Sequence, residues 1–240
     1  MTRVFLVAGG TGGHVFPALA TAEALKLAGA ELMLLTDRRG KRYLGEEDIP
    51  HMVMSASTPT GSSGMSKLKA LFWVAFAVLT AMLFLLRHRP DVLVGFGGYP
   101  AFAPCKAAQL LSIPVVLHEQ NAIFGRANRR LAAGAKAVAL SFAKTRGLPE
   151  GVTAHVVGNP VRPTPDVARP MDAMRRVTIF AGSQGASFFG PELTKALMPL
   201  FLERKDNLEI WHQVRQEDLD EVQKLYLNAG VHATVAVFFK

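Results

Sequence analysis

Residues 9–14 read GGTGGH and directly follow an apolar run at residues 4–8. Glycines at four of five positions after a strand allow a turn in which the backbone approaches a ligand closely. Residues 16–28 suit a helix, with Pro17 in its first turn and Gly29 just past its end. The stretch therefore predicts a strand, a glycine turn and a helix, which together open an α/β domain.

The glycine spacing differs from that of two common phosphate-binding motifs. A dinucleotide-binding G-x-G-x-x-G frame from Gly10 would need glycine in place of Val15, and a P-loop would need a following lysine. Asp37 nevertheless ends the next predicted strand, residues 31–36, where a ribose-binding acid lies in dinucleotide folds. A NAD-type dehydrogenase stays open as an alternative, beside an Asp37 that merely ends a strand.

The charge of the chain favours anionic partners. The formal net charge is +8 over 240 residues, which suits phosphorylated substrates, an anionic membrane surface or nucleic acid. We rank nucleic acid last, because the basic residues are dispersed and lack interleaved aromatic side chains for base stacking. Cys105 is the single cysteine, so an internal disulfide framework and a cysteine cluster for zinc are excluded.

Residues 67–89 are strongly apolar with basic residues at both ends. As a helix, the uncharged residues 70–86 would extend about 25 Å, short of a hydrocarbon core of about 30 Å. Basic residues at both ends also lack the one-sided bias of a spanning helix. We expect a helix on an anionic membrane surface, with a buried helix as the plain alternative. The expected anchors are Lys67, Lys69, Phe72, Trp73 and Phe76.

Glycine-rich or polar clusters follow several predicted strands. Residues 91–96 precede Gly97 and Gly98, residues 113–117 precede the polar run 118–121, and residues 152–157 precede residues 158–162. Open parallel sheets bind ligands at the carboxyl ends of their strands. The repeated placement therefore predicts one binding site assembled from several turns.

A proline-rich stretch divides the chain. We expect residues 1–162 to form an N-terminal domain, residues 163–175 a linker, and residues 176–240 the first part of a second α/β domain. Two parallel sheets joined in this way imply a cleft between domains, which fits a transferase with two substrates.

Six motifs, in order along the chain, resemble one family of glycosyltransferases. They are GGTGGHVFPALA (9–20), GFGGYPAFAP (95–104), PVVLHEQNAIFGRANR (114–129), VVGNPVR (156–162), GSQGA (182–186) and IWHQ (210–213). Together they are similar to the membrane-associated N-acetylglucosaminyltransferases of peptidoglycan synthesis, which make lipid II from lipid I. The resemblance covers residues 1–240. It implies a GT-B fold of two Rossmann-like domains and inverting transfer of GlcNAc from UDP-GlcNAc to the C4 hydroxyl of undecaprenyl-diphospho-MurNAc-pentapeptide.

The resemblance also implies an acceptor site in the first domain. Backbone N–H groups and a helix N-terminus would receive the acceptor diphosphate at the glycine turns, at Gly12, Gly13, Gly97 and Gly98. Further positions that match the family's acceptor side are Thr11, Tyr99, Asn121 and Asn128.

Two residues are candidates for the catalytic base. His14 could take the proton of the attacking hydroxyl, and its plain alternative is a histidine that caps the following helix. Glu119 could orient acceptor hydroxyls or act as the base instead, and its plain alternative is an ion pair with Arg126 or Arg129.

On the donor side, the resemblance assigns Ser183, Gln184 and Gly185 to the UDP phosphates. Arg162 would offset the charge of the leaving group. This chemistry requires no metal and no cofactor. Asp218 and Asp220 mimic the D-x-D motif of metal-dependent glycosyltransferases, but they belong to a predicted acidic helix face and are discounted.

The resemblance implies a longer complete protein, because the family extends past the position of Lys240. We expect these 240 residues alone to bind UDP-GlcNAc incompletely and to be inactive. A non-catalytic module that binds lipid phosphates or a membrane surface is the alternative. The expected partners are UDP-GlcNAc, lipid I, an anionic inner-membrane surface and the cell-wall synthesis machinery. The N-terminal apolar run is shorter than a signal-peptide core of about 7–15 residues, so we expect no export. The apolar segment with basic ends at residues 67–89 then leads us to expect a peripheral protein on the cytoplasmic face of the inner membrane.

Overall fold

The computed structural model describes residues 1–45, 49–54, 64–162, 175–182, 186–204 and 208–239, with the backbone alone for residues 64–70. The chain forms two compact units, Met1–Pro163 and Thr164–Lys240. Of the predicted linker, residues 163–174 lie outside the described residues and Arg175 begins a strand.

The described part of the first unit contains a seven-stranded parallel sheet. The strand order is β3-β2-β1-β4-β5-β6-β7, so the chain moves outward from β1 in one direction and then crosses to the other side of β1 with β4. Ligands bind such sheets at the carboxyl ends of the strands beside this reversal. The strands are β1 Arg3–Val7, β2 Glu31–Thr36, β3 His51–Val53, β4 Val92–Gly95, β5 Val115–Glu119, β6 Ala137–Leu140 and β7 Ala154–Val156.

Helices cover both faces of this sheet, as the alternation along β1 requires. Phe5 and Val7 pack in one apolar cluster with Ala81 and Leu85, whereas Val4 and Leu6 belong to a cluster on the other face. The helices are α1 Gly12–Leu27, α2 Gly64–His88, α3 Tyr99–Leu110 and α4 Arg126–Leu131. Helix α2 begins before the predicted residue 67.

Helix α1 begins at Gly12, four residues before the predicted residue 16. Pro17 therefore lies inside the helix, and because it has no N–H group the Gly13 carbonyl loses its helical partner. The end of the helix is as predicted: Gly29 has a φ of +81°, and Ala30 N–H donates to the Leu25 carbonyl. The second half of the glycine stretch, from Gly12 onward, thus belongs to the first turn of α1.

The second unit contains a three-stranded parallel sheet in its described part, with the order β10-β9-β8. Phe201, Ile210 and Tyr226 form the core between this sheet and its helices. The elements are β8 Arg175–Ile179, α5 Pro191–Leu202, β9 Leu208–Gln213, α6 Leu219–Asn228 and β10 Ala233–Ala236. Asp218, which we expected on a solvated acidic face, is buried and bonded to Arg215.

Asp37 ties the first glycine turn to the end of β2. Its Oδ1 accepts the N–H groups of Gly10 and Gly40, both at 2.8 Å, and its Oδ2 accepts Arg39 Nε at 3.1 Å. Burial by itself raises the pKa of Asp37, but these hydrogen bonds and the Arg39 charge outweigh it, and the net pKa lies below the usual value. The carboxylate therefore serves the backbone of the turn.

We expect Asp37→Ala to lower the free energy of unfolding of the first unit by about 3 kcal/mol, because two N–H groups lose their acceptor. Asp37→Asn keeps an oxygen for both and should cost about 1 kcal/mol. Denaturant titration measures both losses. The control is Asp91→Ala, which removes the exposed acceptor of Arg3 N–H; a cost as large as that of Asp37→Ala would contradict the assignment.

The contribution of Asp37 should also depend on pH. Because the folded pKa is lowered, the stabilisation is fully present above the unfolded pKa of about 3.9 and is lost as the pH falls through the folded pKa. Denaturant titrations at several pH values should therefore show the stability gap between the wild type and Asp37→Asn closing below about pH 4.

Candidate site at the two glycine turns

The two glycine turns lie side by side because β1 and β4 pair in parallel, with Val7 opposite Gly95. Gly97 and Gly98 follow β4 and have φ values of +78° and +74°, which favour glycine. A Cβ atom on Gly98 would lie 3.2 Å from His14 Nε2, so the missing side chain lets the imidazole rest on the second turn.

His14 is the third residue of α1 and is half-buried between the turns. Its Nδ1 lies 3.3 Å from Gln120 Oε1, whereas the Nε2 edge faces Gly98. The N-cap of α1 is Thr11, whose side chain makes no capping hydrogen bond and whose carbonyl accepts the His14 N–H. The first-turn N–H groups of Gly12 and Gly13 belong to this helix end, where anions are favoured.

An open pocket of about 820 Å³ lies above the second turn. Its lining combines polar groups, the basic residues Arg126 and Arg130, and apolar side chains. The polar groups are the side chains of His14, Tyr99, Glu119, Asn121 and Asn128 with the backbone of Gly97, Gly98 and Gly125, and the apolar side chains are those of Leu71, Val74, Phe102 and Ala127. The pocket can therefore receive a molecule that has both anionic and apolar parts.

Glu119 is 2% exposed, and its carboxylate organises the loop after β5. Oε1 accepts the backbone and side-chain N–H groups of Asn121 at 3.1 and 2.9 Å, and Oε2 accepts Gly125 N and Asn128 Nδ2, both at 2.9 Å. None of the described ion pairs joins it to Arg126 or Arg129. With four donors on two oxygens, Glu119 is poorly placed to accept a further proton, which favours His14 as the base.

Two buried polar atoms in the pocket wall have no hydrogen-bond partner within the described residues, Asn128 Oδ1 and Tyr99 Oη. The amide of Asn128 is fixed, because Nδ2 donates to the His118 carbonyl and to Glu119. Its Oδ1 is therefore an acceptor that a ligand O–H or N–H group could satisfy. Burial raises the pKa of Tyr99, and this effect exceeds the lowering of the pKa by the Arg130 charge. The Tyr99 hydroxyl therefore stays protonated and can donate a hydrogen bond.

The four residues of the polar run 118–121 have different roles. His118 Nε2 contacts the Gly158 carbonyl at 3.2 Å, and burial lowers its pKa despite that contact and the Glu119 charge. Glu119 and Asn121 form the loop, and Gln120 reaches His14. Sequence reasoning did not assign Gln120, Arg126 or Arg130 to the site; the position of Gln120 in a polar run after a strand was the one available signal.

The other predicted residues are distributed as follows. Arg162 lies with its guanidinium 5.8 Å from the centre of the Phe16 ring on α1. Ser183, Gln184 and Gly185 lie outside the described residues, and the side chains of Lys67 and Lys69 are likewise not described. Within the described residues, no group of three or more His, Cys, Asp or Glu side chains could hold a metal ion.

The predicted aromatic anchors lie on α2 and are exposed. Phe72, Trp73 and Phe76 are 68%, 53% and 50% exposed, and the Trp73 ring lies edge to face with each of the two phenylalanine rings. Residues Leu71–His88 are long and apolar enough to cross a membrane, with a mean hydropathy of 1.9. Ala81 and Leu85 on the opposite side are fully buried in the core of the first unit.

The geometry contradicts the dehydrogenase alternative. A ribose-binding role needs a free carboxylate at Asp37, but its oxygens already accept Gly10, Gly40 and Arg39.

Comparisons with known proteins agree with the fold. The family model for the glycosyltransferase family 28 N-terminal domain matches residues 4–140. The UDP-N-acetylglucosamine--N-acetylmuramyl-(pentapeptide) pyrophosphoryl-undecaprenol N-acetylglucosamine transferase of Methylorubrum extorquens is 41% identical over 99% of this chain and 67% of its own length. The transferase of the same name from Rhizobium meliloti is 41% identical over 98% of this chain and 65% of its own length.

Solved structures confirm the predicted GT-B class. The crystal structure of Acinetobacter baumannii MurG covers 100% of this chain and 69% of its own, with a TM-score of 0.71 and 32% identity. A UDP-GlcNAc 2-epimerase from Neisseria meningitidis shares the fold at a TM-score of 0.66 and 14% identity, with coverage of 100% of this chain and 73% of its own. The chain spans about two thirds of the length of the transferases that it matches.

We expect Glu119→Gln to lower the free energy of unfolding by about 2–4 kcal/mol, because an amide nitrogen would replace one oxygen that accepts two donors. Denaturant titration provides the measurement. The control Glu23→Gln changes an exposed position on α1 and should leave stability unchanged. A Glu119→Gln protein as stable as the wild type, but inactive, would instead restore Glu119 as the base.

Proposed function

Because the chain belongs to the N-acetylglucosaminyltransferases of glycosyltransferase family 28, we propose that the full-length protein converts lipid I to lipid II. It transfers GlcNAc from UDP-GlcNAc to the C4 hydroxyl of undecaprenyl-diphospho-MurNAc-pentapeptide, with inversion. The names of the 41% identical relatives support these substrates. The observation that carries the proposal is His14, which lies at the sheet reversal between both glycine turns.

In this proposal the acceptor occupies the pocket above the second turn. Its diphosphate meets the N–H groups of Gly12 and Gly13 at the start of α1, where the helix dipole adds positive potential. Arg126 and Arg130 add two positive charges to the same pocket. Asn128 Oδ1 and the Tyr99 hydroxyl provide an acceptor and a donor for the polar groups of the sugar.

His14 acts as the general base. As the C4 oxygen attacks the anomeric carbon of GlcNAc, its proton passes to His14 Nε2 and the bond from that carbon to the UDP oxygen breaks. Attack opposite the leaving group inverts the anomeric centre. On the donor side, Ser183, Gln184 and Gly185 are the residues proposed to bind the UDP phosphates, and Arg162 is proposed to offset the charge of the leaving group. The proposal needs no metal and no cofactor.

We further propose that the protein binds the cytoplasmic leaflet peripherally through α2. A helix whose Ala81 and Leu85 fill the core of the first unit cannot enter a bilayer without exposing that core. The outward face is apolar over about four turns, at Leu71, Phe72, Trp73, Phe76, Leu79, Leu83 and Leu86. Such a helix suits the interface between headgroups and acyl chains, and the positive charge of the chain favours anionic lipids.

The activity is tested with His14→Ala in the full-length protein. We expect kcat for GlcNAc transfer to fall by about 10²–10⁴-fold, because the attacking hydroxyl loses its base. The affinity for UDP-GlcNAc should stay unchanged, since His14 acts on the acceptor. His155→Ala, at an exposed position on β7, is the matched control. An unchanged kcat would remove His14 from the chemistry, and no transfer by the wild type would overturn the proposed function.

Membrane binding is tested with the double variant Phe72→Ser and Phe76→Ser. We expect its affinity for vesicles that contain anionic lipid to fall at least about tenfold, because two half-exposed rings no longer insert. Phe142→Ser is the control, since Phe142 is 51% exposed and follows β6 rather than lying on α2. Equal loss in both variants would contradict docking through α2. Retention of the wild type after high-salt and carbonate washes would instead indicate a spanning helix.

A further inference from the structure

We propose that Gln120 is a positioning residue that fixes the tautomer of His14, with the proton on Nδ1 and a lone pair on Nε2. The tautomer follows from contacts within this chain. Its use in catalysis rests on the proposed function, in which His14 Nε2 receives the acceptor proton.

The orientation of the Gln120 amide is set by a backbone carbonyl. The Gln120 nitrogen Nε2 lies 3.0 Å from the Phe96 carbonyl oxygen. That oxygen can only accept, so the amide group that faces it must be NH₂. The amide oxygen is thereby directed away from Phe96, toward the imidazole.

This orientation decides where the proton of the imidazole lies. The Gln120 oxygen Oε1 faces His14 Nδ1 at 3.3 Å. Because an amide oxygen can only accept, the contact is favourable when Nδ1 carries the proton and is a repulsion between lone pairs otherwise. A histidine side chain in water favours the other tautomer, with the proton on Nε2. Gln120 therefore reverses the intrinsic preference.

The reversed tautomer gives Nε2 the property that a base needs. Nε2 faces Gly98 and the pocket, and no hydrogen bond to it exists among the described residues. A bare nitrogen there can accept a proton, whereas an N–H group could only donate one. The residue that fixes the tautomer is a neutral amide, so the orientation is obtained without placing a carboxylate beside the ring.

The same amide also links the elements of the site. Gln120 follows β5, Phe96 follows β4, and His14 lies in the first turn of α1. One side chain thus joins the carboxyl ends of two neighbouring strands to the helix that carries the base. A replacement that keeps its volume but removes its polarity should release the imidazole ring without emptying the site.

The first experiment measures the tautomer directly. Ring nitrogen-15 shifts of His14 are recorded in the full-length protein at a pH high enough that they no longer change with pH, so that the neutral ring is observed. His14→Ala identifies the resonances. We expect the wild type to carry the proton on Nδ1 and Gln120→Met to move it largely to Nε2. A wild-type proton on Nε2, or an unchanged tautomer in Gln120→Met, would overturn the proposal.

Gln109→Met is the matched control. Gln109 also donates its Nε2 to a backbone carbonyl, that of Leu131 at 2.7 Å, and it lies in the same unit on α3. Its replacement removes a comparable hydrogen bond and should leave the His14 resonances unchanged. If Gln120→Met fails to fold, the wild-type tautomer alone decides the proposal.

The second experiment separates this inference from the proposed function. Gln120→Met should lower kcat about tenfold, equivalent to about 1.4 kcal/mol, with KM for both substrates unchanged. Gln109→Met should keep the wild-type kcat. A changed tautomer with an unchanged kcat in both Gln120→Met and His14→Ala would uphold the Gln120 contact and overturn His14 as the base. If the wild type carries the proton on Nε2 and His14→Ala is inactive, the Gln120 proposal is overturned and His14 remains the base.

Discussion

The parallel pairing of β1 with β4 is the constraint on which the rest of the site depends. It joins two strands that are far apart in the sequence and brings the turns after them into contact. His14 then rests on Gly98, and the next strand, β5, delivers Gln120 and Glu119 to the same edge. A one-residue shift in any of these registers would separate the imidazole from its contacts, so the sheet order itself assembles the chemistry.

Two buried carboxylates hold loops beside the site. Asp37 accepts two backbone N–H groups, one of them in the first glycine turn, and Glu119 accepts N–H groups from Asn121, Gly125 and Asn128 after β5. Turns that leave N–H groups away from water need such acceptors, and a carboxylate offers several lone pairs in one place. An acidic residue at the end of a strand is therefore ambiguous in sequence, because a catalytic role and this structural role favour the same positions.

The sequence predicted most of the fold because long apolar runs mark buried parallel strands, and β2 agrees with its prediction at both ends. β3 was missed because its three residues, His51–Val53, are too few to form the longer apolar run that marks a buried strand. The start of α1 was placed too late because Pro17 resembles a first-turn residue, although Gly12 and Gly13 are already helical. Gln120 could not be assigned because its contact joins residues 106 positions apart, and no local pattern encodes that distance.

Helix α2 connects the membrane proposal to the pocket. Leu71 and Val74 of α2 line the pocket. Phe72, Trp73 and Phe76 on the same helix are exposed and add to the apolar surface beside it. A lipid-linked acceptor has its diphosphate between a sugar and a polyprenyl chain, so it needs a polar pocket directly beside an apolar surface. If α2 lies at the interface between headgroups and acyl chains, the polyprenyl chain of the acceptor can stay in the bilayer while its sugar reaches His14. Binding then avoids the large cost of extracting the lipid into water, because only polar groups leave the membrane surface.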